Sequence, residues 1–422
     1  MSIQLNEGVQ LHVLPTKKYK TIRIMLKFRA PLNKHTITKR AMLANLLETN
    51  SKKYPTQTAL RSALSTMYGA SFGTAVTKKG NTHVLTFSLN LVNERYLSKG
   101  DNVLQEGIDF LKEVILSPNV EQEHFHEKTF NREKENLEDY YGSLFDDKQT
   151  YASLSLQELF FDDENQKTPS VGSKEDLKEI TSSSLYEYYQ EILNQDKVDI
   201  YVMGDVSTEE IQSAFEQFNF APRQLEETNN FYKETTAKKI KSKTEHQDVT
   251  QAKFNLGYTT SVFYHDPSYY AAQVFNGLFG GFPHSKLFMN VREKESLAYY
   301  ASSSLDTFRG MMTVQTGIDG QKIEQVREII ALQLKEMQSG NFTQEAISQT
   351  KEMLKNQLFQ SEDNSGSVIE RIYTMQLAKG NGYELSIDEW VSRIEKVTKE
   401  DIVEVANQVK LNATFFLTAE AK

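Results

Sequence analysis

The sequence predicts an α+β protein of two similar halves, each a mostly antiparallel sheet packed against helices, related by internal duplication. Three observations carry this. Segments alternating apolar and polar residues are interleaved with segments of helical period, their order recurs from residue 252 onward, and a polar stretch separates the two runs. In the first run, Ile3, Leu5, Val9, Leu11 and Val13 alternate around Asn6-Glu7-Gly8, a hairpin signal. Ile22, Ile24, Leu26 and Phe28 alternate with Arg23, Lys27 and Arg29, as a half-buried strand does. Helices are expected over 37–48 and 57–67, interrupted at Tyr54-Pro55 and Gly69. Strands over 72–78 and 83–90 follow, joined at Lys79-Gly80-Asn81. Helical periodicity runs from Asn102 to Leu116 and, after Pro118, from Val120 to Phe145; a further helix ends near Leu193 and leads into a strand at Val198–Gly204.

Between Pro222 and Asp248 the chain turns polar, rich in Glu, Thr, Asn and Lys, and reads as a linker. Beyond it the plan repeats. Ala252–Tyr258 mirrors the strand at 21–30, a helix from Ser268 mirrors 37–48, and strands near 298–305 and 311–318 mirror the pair at 72–90. Val397-Thr398 leading to Asn412–Leu417 parallels Ile180-Thr181 leading to Val198–Gly204. The expected domains are therefore 1–221 and 249–422, with 222–248 between them.

Composition narrows the function. The 422 residues are 39% hydrophobic and 25% charged, as in an ordinary globular chain. Forty-eight basic against 57 acidic residues give a net charge of −9, which argues against general nucleic-acid binding. The absence of cysteine removes disulfides, thiol catalysis, iron–sulfur clusters and cysteine-ligated zinc. Met1 to Glu7 show no basic stretch leading into an apolar core, and runs such as Ile200–Met203 fall far short of the ~20 residues of a membrane span. A soluble, cytoplasmic protein with no membrane partner is expected.

Hydrolytic zinc needs several lone-pair side chains on one face of a rigid element. The eight histidines stand at 12, 35, 83, 124, 126, 246, 265 and 284, and no two are four apart. Neither His-x-x-Glu-His nor its inverted form can therefore be written. His124-Phe125-His126-Glu127 imitates it, but Lys128 stands where the second imidazole is required, and the stretch reads as solvated charge at a helix start. His265-Asp266 and His284-Ser285 are fragments of a nucleophilic triad without a Gly-x-Ser-x-Gly elbow, and Gly280-Gly281 is too short to cradle phosphate.

Leu278-Phe279-Gly280-Gly281-Phe282-Pro283-His284-Ser285-Lys286-Leu287-Phe288 and Val291-Arg292-Glu293-Lys294-Glu295-Ser296-Leu297-Ala298-Tyr299-Tyr300 resemble the second-half signature of insulinase/pitrilysin-type zinc peptidases, in their mitochondrial-processing-peptidase-like branch. The opening Leu5-Asn6-Glu7-Gly8-Val9 and the two-half plan fit as well, so the resemblance spans nearly the whole chain. It implies that the inverted zinc motif would lie just before Ser51-Lys52-Lys53-Tyr54-Pro55. Counting back, Ala41 stands at the first histidine, Ala44 at the glutamate base and Asn45 at the second histidine; Tyr140 stands near the third ligand, a glutamate in the stretch Glu133 to Tyr141. Methyl groups neither coordinate zinc nor take a proton, and an amide is a poor substitute for imidazole. By the same resemblance Arg292 and Tyr299 match a pair that contacts bound peptide and helps stabilise the reacting carbonyl, which suits a forked guanidinium and a phenol donor. The strand Ala70-Ser71-Phe72-Gly73-Thr74 corresponds to an edge that pairs with extended substrate.

The resemblance thus implies a non-catalytic subunit of a heterodimeric zinc peptidase, inactive alone. It would supply Arg292 and Tyr299 for peptide substrate, with zinc expected only in an active homologous partner. The alternative is an inactive homodimer serving as scaffold or peptide-binding protein.

Overall fold

The computed structural model describes residues 2–98, 102–223, 229–295, 297–380 and 383–420. The chain forms two compact units. The first takes Met1–Gly142, Thr168–Asn229 and Ser365–Glu370; the second takes Ser143–Lys167, Asn230–Asn364 and Arg371–Lys422.

In the first unit, β1 (Ser2–Asn6) and β2 (Val9–Pro15) form the hairpin expected at Asn6-Glu7-Gly8, with Gly8 at φ 73°. Next come β3 (Thr21–Pro31), α1 (Lys34–Thr49), α2 (Gln57–Thr66), β4 (Ser71–Lys79), β5 (Thr82–Val92) and α3 (Val103–Leu116). A two-residue ladder of β6 (Val120–Glu121) and β7 (His124–Phe125) precedes α4 (Glu127–Asp146). The strands align as β1-β2-β8-β3-β5-β4, where β8 is Lys197–Gly204 and runs parallel to β2, the other pairs being antiparallel. Ile22, Ile24, Leu26 and Phe28 point from β3 into a core shared with α1 and α3. The opposite face is polar yet buried: His12 stacks on Tyr201 at 4.4 Å, and Lys27 donates to Thr86 and pairs with Glu370.

The second unit begins with α5 (Lys148–Phe160), a helix that lies within the first half of the sequence. After the short α6 (Glu164–Lys167) the chain returns to the first unit for α7 (Lys174–Lys178), α8 (Ser182–Gln195), β8 and α9 (Thr208–Glu216); β9 (Lys241–His246), β10 (Ala252–Thr259) and α10 (Tyr269–Asn276) then follow in the second. After β11 (Ala298–Asp306) and β12 (Met311–Ile318) come α11 (Ile323–Gln338), α12 (Gln344–Ser361), α13 (Ser365–Lys379), α14 (Ile387–Glu395), α15 (Lys399–Gln408) and β13 (Lys410–Thr418). Its sheet runs β11-β12-β10-β13-β9. The four-strand order β8-β3-β5-β4 recurs here as β13-β10-β12-β11, and each sheet adds one parallel neighbour, β2 on β8 and β9 on β13. Even the caps repeat: Thr181 before β8 and Thr398 before β13 each close a reciprocal capping box. Two α+β halves of one plan follow directly.

Three differences from the sequence reading have physical causes. Val120–Phe125 is a tight ladder instead of helix, because Gln122 (φ 49°) and Glu123 (φ 63°) reverse the chain and Phe125 is buried. Residues 143–167 pack with the second unit: Ala152, Leu156, Phe160 and Phe161 bury themselves on Met311, Ala413, Phe415 and Leu417. Gly257 makes room for this, since a Cβ there would stand 2.7 Å from the Phe160 ring. Within the expected linker 222–248, Lys241–His246 is a strand paired with β13, while 224–228 lie outside the described residues.

Candidate functional site

Helix α1 starts at Asn33, whose side chain accepts from His35 N. Two turns later Arg40 is fully buried, 2.7 Å from Asp196 and donating to the Phe28 carbonyl at 2.7 Å. Burial opposes its charge, but Asp196 and the Tyr188 hydroxyl outweigh that and keep the guanidinium protonated. The next turn carries the positions of interest. Ala41 and Ala44 are 4% and 3% exposed and belong to the hydrophobic core; Asn45 is half-buried. Thr74 of the edge strand β4 donates its hydroxyl to the Ala44 carbonyl at 3.0 Å. Glu48 then accepts from the Thr74 N–H at 2.9 Å and its hydroxyl at 3.0 Å, while pairing with Arg61 at 3.3 Å. A carboxylate therefore occupies an amide of the strand that sequence reasoning marked as a peptide-pairing edge. Sequence reading passed over Glu48; its place one turn beyond Asn45 on the same helix was the available signal.

Tyr140 lies on α4 and is 44% exposed. The buried face of α4 carries Thr129, Phe130, Glu133 and Leu137, and Glu133 accepts from Arg132 Nε at 2.7 Å and Asn136 at 3.0 Å. The remaining histidine candidates take local roles. His124 lies 2.6 Å from the Gln122 carbonyl and His126 lies 3.0 Å from the Thr129 hydroxyl. His265 sits 3.4 Å from Asp266, and His284 2.8 Å from the Thr350 hydroxyl.

Arg292 and Tyr299 belong to a local geometry of their own in the second unit. After α10 the backbone runs through two π-helical segments, Gly277–Gly281 and Phe288–Lys294. Wide helical turns of this kind recur at functional sites. The first segment presses on β11 through Gly280, where a Cβ would stand 2.6 Å from Ser303 Oγ and 2.7 Å from its backbone N. The second is tied to α11 by Lys286 with Glu336 at 2.5 Å and Asn290 with Gln333 at 3.0 Å. Its last turn projects Arg292 into solvent with the guanidinium 4.5 Å above the Phe288 ring, and Glu293 at 3.4 Å as its ion-pair partner. Leu297 N bonds the Val291 carbonyl at 3.0 Å and returns the chain into β11; Ser296 lies outside the described residues. The ladder with β12 then skips a residue: Ala298 faces Ile318 and Tyr300 faces Gly317, leaving Tyr299 as a bulge, 74% exposed. A bulge re-aims one side chain without ending the strand. Its neighbour Tyr300 turns inward, where burial pushes the phenol up to about 12.

Residues 179–354 match the description of the Peptidase M16 inactive domain. A Bacillus subtilis protein named probable inactive metalloprotease YmfF is 38% identical over 413 residues, covering 97% of this chain and 96% of its own. The chain belongs to the M16 peptidase family and stands with its inactive members. A second Bacillus subtilis relative, named uncharacterized zinc protease YmxG, is 27% identical over 57% of this chain and 58% of its own. The crystal structure of a conserved protein from Enterococcus faecalis superposes over 100% of this chain and 99% of that one, at 50% identity and a TM-score of 0.95.

For an M16 chain the implied metal is zinc, and α1 does not fit it. Ala41 and Ala44, packed into the core, and the Asn45 amide, the positions that the sequence resemblance assigns to the motif, provide no imidazole and no carboxylate. Among the described residues no group of three or more His, Cys, Asp or Glu is placed to bind a metal. No helix among them is long and apolar enough to cross a membrane.

Proposed function

We propose that this chain is the non-catalytic subunit of a two-chain M16 peptidase complex, presenting Arg292 and Tyr299 to a peptide that an active homologous partner cleaves. The observation that supports it most is the contrast between the halves. On α1 the metal positions are filled with core methyl groups, whereas the second unit spends a π-helical turn and a β-bulge on holding a cation and a phenol in solvent. An aromatic this exposed, together with an exposed guanidinium laid over a ring seven residues earlier, is organised for a ligand more than for folding. The guanidinium fork suits a carbonyl or carboxylate, and the phenol supplies one donor to an oxygen that gains charge. The neighbouring groups assign no proton transfer to this chain; its part is orientation and charge stabilisation, while the metal-activated water belongs to the partner. That inactive and zinc-protease relatives are both named from Bacillus subtilis fits a paired system.

The test is reconstitution. The purified chain alone should leave an unstructured peptide pool intact, and mixing with a zinc-motif homologue from the same cell should produce a complex and cleavage. If every such mixture stays monomeric and silent, the subunit reading is wrong.

A further inference from the structure

The four outer strands of the two sheets are guarded unequally. Strand β1 is only five residues long. On β4, Glu48 occupies the Thr74 amide. Strand β9 sets Lys241, Lys243 and Glu245 along its edge, charges of the kind that deter strand pairing. Strand β11 has none of these devices. It is nine residues long, carries no charged side chain before Asp306, and leaves Ser302 and Ser304 exposed. Among the described residues no side chain bonds the backbone of Tyr300 to Leu305. A long, neutral, accessible edge is a template for another strand.

Both ends of this edge carry chemistry. At its start stand Tyr299 and, just before the strand, the exposed cation Arg292. At its other end is a cleft of about 230 Å³ where Ser153, Gln157, Ser304, Thr313 and Gln315 present hydroxyls and amides beside the Asp306–Arg309 ion pair, over a floor that includes Leu156 and Met311. Tyr299 and Ser304 are five residues apart, roughly 17 Å along an extended strand, the span of about six peptide residues.

We propose that β11 docks an extended peptide with a free C-terminal carboxylate, added antiparallel to the strand. In that direction the carboxylate meets Arg292, and the side chain some five residues upstream enters the polar cleft. The proposal rests on the peptide-binding reading of Arg292 and Tyr299, and deepens it by naming the strand, the direction and the end group. The Arg292 guanidinium, whose exposed pairing with Glu293 a terminal carboxylate can replace, selects the carboxylate end. The bulge at Tyr299 interrupts regular pairing there, which suits a peptide that stops at that point better than a second copy of β11 running past it.

The probe is acetyl-Gln-Val-Thr-Val-Thr-Val as free acid and as C-terminal amide, titrated onto the isolated full chain, with hydrogen exchange followed by mass spectrometry. The free acid should slow exchange over 300–305 and bind about tenfold more tightly than the amide. Arg292→Ala should erase that difference, and Glu48→Ala should leave both affinities unchanged. Protection over 71–79 in place of β11, no protection at all, equal affinity for acid and amide, or β11 protected beforehand in a sedimenting homodimer would each overturn it. Because binding is read without a partner, this test and the reconstitution test can fail separately.

Discussion

Removing the Arg40 guanidinium would leave the buried Asp196 carboxylate with no side chain bonded to it, since Arg223 serves only its backbone carbonyl at 2.9 Å. Arg40→Ala is therefore expected to cost about 3–5 kcal/mol in urea unfolding, and Arg40→Met with Asp196→Leu to recover much of it. The pair pins α1 one residue before Ala41, so it fixes where the turn Ala41 to Asn45 sits. His83 supplies a pH signature. It is buried with Nε2 2.9 Å from the Ser170 carbonyl, and burial, helped by the Arg40 charge, pushes it down to about 3. An unfolded histidine binds its proton near 6.5. Below that the unfolded state holds more protons, so stability falls as pH drops from about 6.5 towards 3, by up to ~1.4 kcal/mol per unit. Unfolding curves at pH 7 and 5.5 should show this slope, and His83→Leu should flatten it.

At the scale of elements, α1 is a core helix that buries Ala41 and Ala44. Rebuilding the motif as Ala41→His, Ala44→Glu and Asn45→His forces bulk and charge into positions 3–4% exposed, costing about 1–3 kcal/mol for each of the two core sites. The triple variant should melt lower and, after dialysis, retain less than one zinc per chain by metal analysis. The second-unit site depends on close approach: Gly280→Ala would push the first π-helical segment off the Ser303 backbone, lowering the melting temperature and weakening peptide binding together. Much of this organisation was legible in the sequence. Alternation at Ile22–Phe28 and Ala252–Tyr258, and the paired Ile180-Thr181 and Val397-Thr398 starts, gave the strands and capping boxes their places. What stayed hidden has no side-chain period. The Gln122-Glu123 reversal uses neither Gly nor Asn, the Tyr299 bulge exists only relative to β12, and β9 reads as linker because a parallel edge strand needs no apolar alternation when its side chains face solvent. That Ala41 and Ala44 pack into the core while Asn45 stays half-buried could not be read from the sequence.

For the whole molecule, the two sheets share one strand order, and the exposed Arg292 and Tyr299 both lie in the second unit. On the two-chain reading proposed above, activity should depend on partner concentration and saturate at one-to-one stoichiometry. The deciding measurement is the cleavage rate of an M16 partner saturated with this chain, compared with the same partner saturated with Arg292→Ala at equal complex by light scattering. kcat/KM should fall at least about tenfold, the loss of one charge-assisted contact in the transition state. Equal rates for the two complexes would contradict it.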